Sequence, residues 1–152
     1  MRNEETKGIK AVLIFEVIGR PPEHLTETLN EIIKKVDAEK GVSVKNKKLN
    51  EPVLMKDQKD FYTSFAEVEI EVEEILSLAM LMFTHMPAHI EIISPEKITL
   101  TNNGWNDIFS EVVRRLHGYD EIARIVQTEK NILEKKLREL MPKEEKKEEN
   151  DR

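Results

Sequence analysis

The chain has no cysteine in its 152 residues, which excludes disulfides, thiolate metal ligands and a cysteine nucleophile together. Histidine occurs four times and glycine five times. No glycine stands in a phosphate-cradling loop or a nucleophile elbow, and no acid–base pair is clustered at a catalytic spacing. No apolar run approaches the roughly 18 residues of a membrane span. Residues 1–8 are charged rather than basic and then apolar, so neither a secretory leader nor a membrane anchor is expected, and the chain reads as cytoplasmic. Glutamine occurs only at Gln58 and Gln127 while 36% of residues are charged, a balance associated with proteins that work at high temperature. The formal net charge of −6 disfavours a broad attraction to nucleic acid, and the Lys-rich stretch 34–59 is diluted by Asp37, Glu39, Glu51, Asp57 and Asp60.

What the chain does contain is a hydrophobic pattern whose period changes repeatedly. Residues 9–18 alternate as a strand, with Ile9, Ala11, Leu13, Phe15 and Val17 on one face and Val12, Ile14 and Ile18 on the other. Both faces are apolar, as expected of a central strand covered on both sides. Residues 22–39 switch to a helical period, placing Leu25, Leu29, Ile32, Ile33 and Val36 on one stripe between Pro22 near the start and Gly41 beyond the end. Extended segments follow at 42–49 and 61–72. The first carries Lys45 and Lys47 on one face and is expected at a sheet edge. The second alternates Ala66, Val68, Ile70 and Val72 with Glu67, Glu69 and Glu71, and pairing of these glutamates with Lys45 and Lys47 is expected.

A second helix is expected over 73–86. It is apolar around most of its circumference, so something beyond the sheet must cover it. A strand at 88–94 completes the order strand-helix-strand-strand-helix-strand, the split βαβ pattern of ferredoxin-like domains. After an extended piece at 98–101, a turn at Asn102-Asn103-Gly104-Trp105 leads to a third helix, which Gly118 is expected to stop. A fourth runs from 120 to 140, where Glu129 and Lys136 interrupt the apolar stripe, so it reads as a packed amphipathic helix rather than a coiled coil. Residues 142–152, almost wholly charged, have nothing to bury and are expected to be disordered.

The segment Phe15-Glu-Val-Ile-Gly-Arg-Pro-Pro22, followed by Leu25 to Val36 and Gly41-Val-Ser-Val44, resembles the opening of ACT domains. These are ferredoxin-like modules that bind amino acids and regulate enzymes. The resemblance covers about the first third of the chain and implies a ligand beside Gly19, Arg20 and Pro22 at a subunit interface. It departs from the family's pattern at Gly19, where an acidic residue is usual, and at Pro22, which replaces a glycine and removes a backbone donor.

Two further candidates come from the residues themselves. His85, His89 and Glu91 combine imidazoles with a carboxylate and form a candidate zinc or iron set, against the plainer reading of a helix C-terminus and an exposed strand face. Arg114-Arg115-Leu-His117-Gly118-Tyr-Asp120-Glu121 is what ordinary helix capping requires; a helix-turn-helix reader of DNA would also place a short glycine turn here, but the long, Glu-rich helix that follows favours the capping reading.

The expected fold is therefore α+β: a ferredoxin-like four-stranded antiparallel sheet over residues 1–101 with two helices on one face, and a C-terminal helical pair over 102–141. Trp105, Phe109, Val112, Ile125, Leu133 and Leu137 are the expected interface residues, packing in cis or against a second subunit in a homodimer. The function favoured is a non-enzymatic oligomeric binding or regulatory module for a small metabolite or a protein partner, with no cofactor identified. The alternatives are an enzyme with its site around His89, Glu91 and Arg20, and a nucleic-acid-binding protein using Lys45 and Lys47.

Overall fold

The computed structural model describes residues 8–141. It contains β1 (Ile9–Gly19), α1 (Pro22–Asp37), β2 (Val42–Leu49), β3 (Val53–Leu54), β4 (Tyr62–Val72), α2 (Ile75–His85), β5 (His89–Ser94) and α3 (Asn102–Leu140). All strand pairs are antiparallel, and the four long strands stand in the order β2-β4-β1-β5, the expected ferredoxin-like arrangement. The α+β class thus stands, with one strand more than expected. The two-residue β3 pairs Val53 with Thr63 and Leu54 with Tyr62, and the Met55 amide closes its turn on the Phe61 carbonyl.

Alternation along β1 and β4 builds the core. Ala11, Leu13 and Phe15 of β1 and Ala66, Val68, Ile70 and Val72 of β4 are buried on one sheet face. There they meet Leu29, Ile33 and Val36 of α1 and Leu78 and Leu81 of α2 in a single cluster. Both helices therefore lie on the same face. On the opposite face Val12 and Ile14 are half-buried and Ile18 is 58% exposed. The expectation that β1 is covered on both sides is not met within the described residues.

The expected pairing of the Lys45 and Lys47 row with the β4 glutamates is overturned by a β-bulge. Val44 opposes Ile70 and Asn46 opposes Glu69, so Lys45 is the extra residue. Beyond it the register places Lys48 opposite Glu67 and Lys47 opposite Val68. Because a one-residue slip exchanges the faces of a strand, Lys47 reaches the helix side, where its Nζ donates to Asn30 Oδ1 of α1 at 3.3 Å.

The turn between α1 and β2 needs Gly41. Its φ of +74° lies in the left-handed region, and an added Cβ would come within 3.3 Å of Glu73 Oε2. Gly41→Ala is expected to lower unfolding free energy by about 1–2 kcal/mol, measured by urea denaturation.

The expected C-terminal helical pair is instead one continuous helix of 39 residues. Thr101 caps it, its Oγ1 accepting from the Gly104 amide at 3.2 Å, so the Asn102–Trp105 turn is the first helical turn. Gly118 does not stop the helix. Glycine costs only about 1 kcal/mol inside a helix, and good helix formers such as Leu116, Glu121 and Ala123 surround it. The chain divides into two compact units with a boundary between Ile108 and Phe109. The expected disorder of 142–152 lies outside the described residues.

Candidate functional site

The loop that carries the ACT resemblance joins β1 to α1. Gly19 ends the strand, Pro21 occupies the N-cap position without a side-chain cap, and Pro22 opens the helix. The guanidinium of Arg20 lies 5.0 Å from the centroid of the Phe61 ring, a cation–π contact that occupies the cation expected to meet a ligand. Pro22 has no amide hydrogen, and the His24 amide donates to the Pro21 carbonyl at 3.1 Å, so few free donors remain for an anion.

The expected metal-ligating residues are directed to different places. His85 ends α2, its ring 8% exposed, with Nε2 2.9 Å from Glu39 Oε1. His89 and Glu91 oppose Ile14 and Val12 on the sheet face away from the helices, and both are exposed. Among the described residues no group of three His, Asp or Glu side chains is placed to hold a metal ion. Zinc at a few equivalents is accordingly expected to leave the melting temperature unchanged, measured by thermal unfolding. Nor does the alternative enzymatic trio come together. The strand residue opposite His89 is Ile14, six residues before Arg20, or about 20 Å along an extended chain.

A different surface emerges on α3, none of whose residues is buried. Leu116, Val126, Leu133 and Leu137 are between 55% and 64% exposed, and Leu140 is 83% exposed. Together with Tyr119, Ala123 and Lys130 they continue at intervals of three and four from Leu116 to Leu140, so they form one stripe rather than scattered contacts. Of the expected interface residues, Trp105, Phe109, Val112, Leu133 and Leu137 fall on that stripe, whereas Ile125 stands to one side of it. Intrahelical ion pairs run beside the stripe, among them Asp120 with Arg124 at 2.8 Å, and Lys130, which stands on the stripe itself, reaches Glu134 on its flank at 3.8 Å. Hydrogen bonds from Arg114 hold the Glu111 carboxyl below the ordinary carboxylate range and raise the Arg114 guanidinium. Exposed pairs of this kind add a few tenths of a kcal/mol each and support the helix rather than form a site.

Tyr119, Ala123 and Lys130 are the residues of this stripe that sequence reasoning passed over; Leu116, Val126 and Leu140 read as apolar helix positions but were not among the expected interface residues. Their signal was present, but reading Gly118 as a stop broke the helix and hid the continuous frame. Sequence reasoning also missed a cavity of about 350 Å³ between Ile9, Ile75, Leu76, Ile98 and Leu100, rimmed by Glu73 and Asp107, because its walls come from distant parts of the chain.

A protein-family model, that of the MJ0538 family, matches residues 10–141. No curated protein and no solved structure matches the chain. The matched span runs from β1 through the end of α3. Among the described residues no helix is long and apolar enough to cross a membrane.

Proposed function

We propose that this chain, which belongs to the MJ0538 family, is a non-enzymatic module that self-associates as a homodimer through α3 and presents its α+β domain to a ligand or partner. The observation that carries this reading is a helix of 39 residues that buries none of them while exposing an apolar stripe in which Lys130 is the single charged residue. A solitary helix owes most of its stability to burying one face against a neighbour, and large exposed apolar patches mark interaction surfaces. A second α3 supplies such a face, and the charged flanks keep the assembly soluble.

The metabolite site implied by the resemblance to ACT domains has less support, since Arg20 is engaged by Phe61. Light scattering coupled to gel filtration at micromolar concentration tests the proposal. A mass of twice the 17.7 kDa of one chain is expected. A single-chain mass across that range refutes it.

A further inference from the structure

We propose that α3 pairs with α3 of a second copy as an antiparallel two-stranded coiled coil, with Phe109 of one chain opposite Leu133 of the other. This inference rests on the self-association reading and specifies its register and direction. Steps of three and four residues connect Phe109, Val112, Leu116, Tyr119, Ala123, Val126, Lys130, Leu133, Leu137 and Leu140 without a break. Lys130 is the single charged member. This is a heptad frame with Val112, Tyr119, Val126, Leu133 and Leu140 at one core position and Phe109, Leu116, Ala123, Lys130 and Leu137 at the other. A rival frame through Ile122, Ile125 and Ile132 meets Glu129 and Lys136 and fails.

The surface best matched to such a seam is another helix of the same repeat, whose side chains enter its holes layer by layer. Direction follows from size and charge. In a parallel, in-register pair Lys130 faces Lys130, Tyr119 faces Tyr119 and Ala123 faces Ala123, which alternates crowding with gaps. Glu129 then lies beside Glu134 of the second copy. Reversing one helix so that Phe109 meets Leu133 changes each of these layers. Lys130 lies against Val112, Tyr119 fills the space beside Ala123, and Leu116 meets Val126.

Along the flank of the antiparallel pair, Arg115 faces Glu129 of the second copy, once on each side of the two-fold axis. Ile122 meets its own copy beside that axis. Asp120 also meets its own copy there, but each is held by Arg124 of its own helix at 2.8 Å, which offsets the repulsion. The overlap from 109 to 133 makes a seam of about 37 Å.

Charge reversal at Glu129 and Arg115 distinguishes the directions; because Arg115 also lies 3.7 Å from Glu111 Oε1 of its own helix, each variant is first shown to keep its helix content by circular dichroism. Glu129→Arg is expected to weaken self-association about 10-fold, and adding Arg115→Glu in the same chain is expected to restore it. In a parallel pair Glu129→Arg removes the clash with Glu134 and tightens the dimer, a result that overturns the antiparallel assignment. A cysteine introduced into this cysteine-free chain gives a second readout. On oxidation, a mixture of Leu116→Cys and Val126→Cys chains that remain helical by circular dichroism should form the mixed disulfide in at least 10-fold excess over either homodisulfide. Predominant homodisulfides, or a dimer that does not cross-link, overturn the register. A native chain that sediments as a monomer overturns the self-association reading itself.

Discussion

Leu133→Asp is expected to convert the protein to monomers at micromolar concentration, weakening self-association by at least about 10³-fold. Leu133 is 64% exposed in the single chain and lies at a core position of the α3 heptad frame. Burying a leucine contributes about 2–3 kcal/mol, and a symmetric dimer loses that contribution twice. An unpaired carboxylate placed in the seam adds a desolvation penalty at both sites. Ile132→Asp one residue away is the control: Ile132 is 50% exposed and outside the frame, and its substitution should change the affinity by less than about 3-fold. Sedimentation velocity of both variants separates the effects, and equal behaviour would mean that α3 has no preferred face.

Leu13→Ala should destabilise the sheet domain by about 3–4 kcal/mol and lower its melting temperature by roughly 10 °C. Leu13 has no solvent exposure and sits at the centre of β1, opposite Val68 of β4 and Ile90 of β5. Truncation there leaves a cavity walled by strands on either side and by the helices above, and regular sheet cannot collapse to fill it. Ile18→Ala removes a similar side chain from the same strand at a position 58% exposed, and should cost less than about 1 kcal/mol. Thermal unfolding followed by circular dichroism measures the difference. A small loss for Leu13→Ala would contradict the placement of the core on the helix-covered face.

The order of the long elements was legible because β1, α1 and β4 carry clean periods of two or three to four residues over 11 or more positions. Three features were not. The bulge at Lys45 leaves no local mark, since it arises from how β2 fits the register of β4. Strand β3 has only two residues beside Pro52 and owes its existence to its partner. Gly118 reads as a stop, but one glycine costs a helix interior only about 1 kcal/mol, which the turns on either side of it in this 39-residue helix offset.

Among candidate sites, the proximity of His85 to Glu39 was hidden by a separation of 46 positions along the chain. Arg20 is met by Phe61, which precedes β4 and has no sequence relation to the β1–α1 loop. The α3 stripe was legible in full once the helix was known to be continuous. Its outlying expected member, Ile125, is apolar but stands one residue before Val126 and so falls outside the frame.

Hydrogen exchange along α3 at rising protein concentration tests self-association through this helix most directly. A helix with no buried residue exchanges its amides quickly when alone, whereas one side of a coiled coil is protected in proportion to the population of the pair. The expected result is slow exchange over residues 112–137 that strengthens with concentration and disappears in Leu133→Asp. Fast, concentration-independent exchange over that segment, in a chain whose sheet amides are well protected, would contradict it.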